Sequence, residues 1–179
     1  MEEDKKKIYS WAFYDWANSA YSTTVMAGFF PIFFEKFYSN PNDVIQSTYQ
    51  LGLANSISSV FIALVSPLLG AIADRGSAKK KLLIIFAFLG SLMTAALWVV
   101  QKGDWQLAVF FYIIATIGFM AGNIFYDSLL PSVAGREKVD YVSALGYSLG
   151  YLGGGLLFLA NVLMYLHPDW FGIPDSSTA

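Results

Sequence analysis

The chain has 179 residues, of which 56% are hydrophobic and only 13% charged, with a formal net charge of −2. Water-soluble domains carry about 45–50% apolar and about 25% charged residues, and no soluble core of this size could hide 15 Phe, 11 Tyr and 5 Trp. With no cysteine and a single histidine, His167, the sequence also excludes disulfides, thiolate metal sites and multi-histidine metal centres, and it implies no cofactor.

A helix that crosses about 30 Å of hydrocarbon at about 1.5 Å per residue needs roughly 20 apolar residues. Five stretches qualify, at about 11–34, 49–73, 82–100, 107–130 and 141–166. Inside hydrocarbon every backbone N–H and C=O must be paired within its own segment, which makes these stretches helices. The alternation over ~10 residues that marks barrel strands is missing. The expected fold class is an all-α membrane protein. Residues 1–179 form one transmembrane helical domain, because links such as Asn40–Asp43 and Lys102–Asp104 are too short for anything but antiparallel neighbours.

The first stretch has the basic start of a signal peptide. Its apolar run is too long for one, it contains Asp15 and Asn18, and it lacks a small-residue cleavage pattern, so it reads as a retained helix. Asp15, Asn18 and Ser22 fall on one of its faces. In the second stretch Asn55, Ser59 and Ser66 form a similar stripe, and Pro67 frees a backbone carbonyl and predicts a kink. The third has almost no polar stripe, looks peripheral, and could face lipid all round. In the fourth, Thr116, Asn123 and Asp127 line up, and Pro131 is expected to end the helix. The fifth carries Ser143, Tyr147, Tyr151 and Asn161.

It also carries Gly146, Gly150, Gly153, Gly154 and Gly155. The spacing Gly146-Gly150-Gly154 makes a groove that lets another backbone come close. Tight packing is the main reading of these glycines, and a bendable helix is the second.

Polar stripes have two readings. Ser, Thr and Asn often act as glue between membrane helices, at about 0.6 kcal/mol each. Carboxylates in a membrane more often carry function, which singles out Asp15 and Asp127. Both also lie about one turn from a helix end, where water or the basic loops could satisfy them.

Positive charge sets the orientation. Nine of the 11 Lys and Arg residues (Lys5, Lys6, Lys7, Arg75, Lys79, Lys80, Lys81, Arg136 and Lys138) fall on one side of the bundle. The positive-inside rule therefore places the N-terminus in the cytoplasm, and five spans put Ala179 outside. The five tryptophans fall near predicted span ends, as interfacial anchors should. A short N-terminus without a targeting peptide suggests a bacterial cytoplasmic membrane.

The most specific motif is Gly70-Ala-Ile-Ala-Asp74-Arg75-Gly76, followed by Lys79-Lys80-Lys81, between the second and third stretches. A negative Asp74 at a helix C-terminus opposes the helix dipole and needs a cation or donor nearby. This segment resembles the signature loop of the major facilitator superfamily. Three more segments narrow the resemblance: Tyr14-Asp15-Trp16-Ala17-Asn18-Ser19-Ala20-Tyr21, Phe125-Tyr126-Asp127-Ser128-Leu129-Leu130-Pro131, and Ser143-Ala144-Leu145-Gly146-Tyr147 with Gly150-Tyr151-Leu152-Gly153-Gly154-Gly155. Together they are similar to the vacuolar-effluxer-like branch.

That resemblance implies a twelve-helix transporter of two halves, of which this chain would supply the first five helices. Helices one, two, four and five would line a central cavity. It implies alternating-access transport of a small solute, with amino-acid export coupled to protons as the leading expectation. Gly70, Asp74 and Arg75 would then belong to a gating charge network. Asn18, Ser22, Asn55, Asn123 and Tyr147 are the cavity-lining candidates, Asp15 and Asp127 the proton-coupling candidates, and Gly146, Gly150 and Gly154 the packing residues. The partners implied are a small-molecule substrate, the lipid bilayer, and the remaining helices of the transporter or a second subunit. A rival reading is a small membrane scaffold that uses the glycine face as an oligomer seam. An enzyme is disfavoured because no nucleophile motif or histidine cluster is present. Nucleic-acid binding is disfavoured because topology explains the basic loops.

Overall fold

In a computed structural model the protein is described over residues 2–74, 78–135 and 137–173, and among these there is no strand. Five helices follow one another. The first, α1, begins as an α-helix over Glu2–Ala20, continues with π winding over Tyr21–Phe29, returns to α over Phe30–Phe33 and closes with π winding over Phe34–Tyr38. Then come α2 (Val44–Asp74), α3 (Ala78–Ala96, with a 3₁₀ turn at Leu97–Val99), α4 (Trp105–Ala134) and α5 (Val139–Leu166). Each of the last four is long and apolar enough to cross a membrane. The five helices match the five predicted spans in number and order, with most ends running past the predicted bounds.

Local chemistry accounts for the irregular places. The hydroxyls of Ser22 and Thr23 both donate to the Ser19 carbonyl, at 3.0 and 2.9 Å. They compete with the backbone N–H that would close the next α turn, at the point where α1 changes winding. Within α2, Pro67 removes the N–H that would reach the carbonyl of Ala63. The Ser66 hydroxyl donates to that carbonyl at 3.3 Å instead, as side chains often do where proline interrupts a membrane helix.

Pro131 does not end α4 as expected, because the helix continues to Ala134. A proline so near the end forfeits one hydrogen bond while a last turn still forms. The helix stops at Gly135, whose φ of +63° suits glycine.

Packing centres on α4, which touches each of the other four helices. Its tightest partner is α3. A methyl group on Gly118 of α4 would lie 2.7 Å from the Gly90 nitrogen of α3, so only glycines allow this backbone-to-backbone approach. The expectation that α3 could face lipid all round is therefore corrected. Gly90 notches one face onto α4, while Ile84, Ile85, Phe88 and Leu92 stay exposed. The other close pair is α1 with α5.

One apolar core, with Trp11, Ala12, Phe125, Tyr126 and Val142, fills the half of the bundle nearer the N-terminus. A second, with Phe30, Phe34, Tyr38 and Tyr112, fills the opposite half. Trp98 and Trp170 are exposed, as interfacial anchors should be, but Trp11 is 7% exposed and belongs to the core.

Candidate functional site

The polar stripes converge on α4. Asn18 of α1 donates from its side-chain amide to the Asn123 amide oxygen at 2.7 Å. Two turns along, the hydroxyls of Tyr21 and Thr116 meet at 2.9 Å. Across the other face of α4, the Tyr112 hydroxyl donates to the Asn55 amide oxygen of α2 at 3.0 Å. These bonds place carboxamides and hydroxyls where α1, α2 and α4 meet.

Between those three helices lies a groove of about 490 Å³, lined by Asn55, Ser59, Thr116 and Asn123 together with Met26 and Phe119. On the far side of the α1–α4 ladder, between α1, α3 and α4, is a cavity of about 500 Å³ whose polar lining includes Tyr14, Asn18, Tyr21, Thr24, Ser91 and Thr94. The Asn18–Asn123 and Tyr21–Thr116 bonds separate the two spaces. Five of the nine groove-lining residues are apolar, the other four are uncharged hydrogen-bonding groups and none is ionisable, a composition suited to holding a small organic solute.

The remaining candidates scatter. Ser22 is tied to its own backbone and does not line the groove. Tyr147 is 63% exposed and stands outside the groove. Asp15 is half-buried and accepts the Ser19 hydroxyl at 3.3 Å. Asp127 is exposed on α4, within electrostatic reach of Asp15.

The glycine stripe of α5 is turned onto α1. Added methyls would meet Trp11 at Gly146, Asp15 and Ser19 at Gly150, the Trp16 carbonyl oxygen at Gly153 and Thr23 at Gly154, each at 2.5–2.8 Å to the nearest atom. Gly155 faces open space.

In the signature segment, Gly70 is half-buried and a methyl there would meet nothing within 4 Å. Asp74 is the exposed last residue of α2, and Arg75 lies outside the described residues. A polar contact from this segment to the bundle comes from Lys79, whose ammonium donates to the Ser128 carbonyl of α4 at 3.0 Å. Sequence reasoning passed over Lys79 because a lysine in a basic loop is explained by topology. It passed over Tyr21 and Tyr112 because tyrosines in apolar runs read as bulk; the one available signal was the Tyr112-xxx-Thr116 spacing.

Residues 44–172 match the family described as "Vacuole effluxer Atg22 like". The chain belongs to this family. The chain is 37% identical over its whole length to an uncharacterised MFS-type transporter, YxiO, of Bacillus subtilis, covering 42% of that protein. It is 31% identical over 89% of its length to an uncharacterised protein of Aquifex aeolicus, covering 40% of it. It is 26% identical over 76% of its length to autophagy-related protein 22 of Pichia angusta, covering 27% of it. The chain thus spans about two fifths of the length of its first two relatives. No solved structure matches it. The Atg22-like match includes α2 to α5, and therefore Asn55, Asn123, Lys79 and the glycine stripe.

Proposed function

We propose that the complete protein is an alternating-access transporter of small solutes, coupled to protons, with amino-acid export as its activity. The observation that carries this reading is the uncharged polar groove between α1, α2 and α4, inside an otherwise apolar helical bundle. In a transporter of two rocking halves the substrate site lies near the membrane midplane, where such a groove would face its counterpart from the other half. Relatives named as an MFS-type transporter and as autophagy-related protein 22 support transport as the activity. The proposed proton carriers are Asp15 and Asp127. The one-sided basic loops support a cytoplasmic N-terminus, and the Bacillus subtilis relative supports a bacterial cytoplasmic membrane. The scaffold reading would need a free glycine seam on α5, and α1 covers that seam.

The test is transport by the complete protein in proteoliposomes, using a radiolabelled mixture of the twenty amino acids and an imposed proton gradient. Gradient-driven accumulation is expected in the wild type and lost in Asp15→Asn and Asp127→Asn, with expression retained. Full activity in both variants would sink proton coupling. No movement of any amino acid would sink that substrate class.

A further inference from the structure

Tyr126 of α4 is 5% exposed, and its hydroxyl is buried without a hydrogen-bond partner among the described residues. Its ring cannot swing away to find one. It is stacked on Trp11 at 4.2 Å and on Tyr14 at 5.1 Å, and the Trp11 indole N–H holds the Tyr126 carbonyl at 3.1 Å. The hydroxyl stands over Gly146 of α5, 3.0 Å from where a methyl group would be.

One helical turn along the same face of α5 stands Gly150, and there the nearest groups are the Asp15 carboxylate, with Oδ2 at 2.9 Å, and the Ser19 hydroxyl. Among the described residues, a phenol fixed in place without an acceptor and a half-buried carboxylate with a long 3.3 Å hydrogen bond from Ser19 thus face the same glycine floor. The two glycines they face are about 6 Å apart along α5, the rise of four residues. Both floor positions are glycine, so no side chain on that floor stands between the two groups. A small slide of α4 along α1, or a rotation of the Asp15 side chain, would close the distance.

We propose that Tyr126 is a positioning residue for Asp15: its hydroxyl donates a hydrogen bond to the Asp15 carboxyl group in one state of the transport cycle and releases it in the other. The bond would tie α4 to α1 across the glycine seam and make the protonation of Asp15 sensible to the packing of three helices. The other titratable groups around the pair are Tyr14 on α1, Asp127 on α4 and Tyr147 on α5. Tyr14 is not an equivalent donor, because its buried hydroxyl points to Gly122 of α4, at 3.5 Å from a methyl position there.

This inference rests on the reading of Asp15 as a proton carrier, and its test separates the two. Infrared difference spectra are recorded on pH jumps of the complete protein in liposomes, with no substrate required. A carboxyl band lost in Asp15→Asn identifies Asp15 as a titrating group; absence of any such band would overturn both readings. With that band assigned, Tyr126→Phe, which keeps the stacked ring, is expected to shift it, and Tyr14→Phe is expected to leave it in place. A band unmoved in Tyr126→Phe, or moved equally by both variants, overturns the role of Tyr126 while leaving Asp15 a proton carrier. The reciprocal signal does not depend on the folding of Tyr126→Phe: a tyrosine C–O band that responds to pH in the wild type must lose its response in Asp15→Asn. Its persistence there would also overturn the inference.

Discussion

The Asn18 side-chain amide of α1 donates a 2.7 Å hydrogen bond to the Asn123 amide oxygen of α4, forming one wall of the polar groove. Two half-buried carboxamides that meet in an apolar bundle satisfy one another. Replacing one leaves the other unpaired, at a cost of about 1–3 kcal/mol, whereas interhelical hydrogen bonds in membranes contribute a net of about 0.6 kcal/mol, and at most about 1.7. Asn18→Ala and Asn123→Ala are each expected to lower thermal stability in detergent, and the double variant is expected to lose less than the sum. A coupling energy near zero in that cycle would show that the two amides do not depend on one another.

The glycines of α5 are expected to divide sharply. At Gly153 an added methyl meets the Trp16 carbonyl oxygen at 2.5 Å, a backbone atom that cannot move aside without moving α1. Gly153→Ala should destabilise by about 1–3 kcal/mol, the usual penalty for overpacking. Gly155→Ala, two residues on and facing open space, should be neutral or stabilising by up to about 1 kcal/mol through helix propensity. Thermal unfolding of the two variants side by side decides the matter; equal effects would mean that α5 does not seat on α1 in this register.

Lys79 pins the start of α3 to the Ser128 carbonyl of α4 at 3.0 Å. Hydrogen bonds from charged groups are worth about 1.5–3 kcal/mol when partly shielded from water. Lys79→Ala should therefore loosen the link between α2 and α3, seen as faster hydrogen exchange or proteolysis around residues 74–81. Lys80→Ala, at an exposed position, should not. Identical exchange in both variants would reduce Lys79 to a topology charge.

Much of the architecture was legible before any coordinates. Length of apolar run decides how many helices there are, because the thickness of hydrocarbon is fixed and the backbone has no other way to pair. The polar stripes put Asn18, Asn55 and Asn123 on helix faces, since periodicity near 3.6 reports which positions share a face, and in the structure all three make hydrogen bonds to or from α4. Periodicity does not report what that face meets. Ser22 shared the stripe of Asn18 yet bonds its own backbone, and Tyr147 is exposed.

Tryptophan shows the same limit from the other direction. Trp11 and Trp98 both lie near span ends, and by sequence both are interfacial anchors. One is 7% exposed and stacked on Tyr126, and the other is 92% exposed. Nothing in the local composition distinguishes them, because the partner of Trp11 lies 115 residues away on α4.

By itself, then, the sequence determined the helical membrane class, the number of helices, their alternation and the segments that mark the family. Each of these follows from local properties: apolar length, short links and short motifs. Only the tertiary structure decided that α3 is notched onto α4 at Gly90 and Gly118, that the glycine stripe of α5 receives α1, and that Tyr126 is buried with its hydroxyl unpartnered. These depend on which backbones can approach within a methyl group of each other, a distance set jointly by residues far apart in the chain.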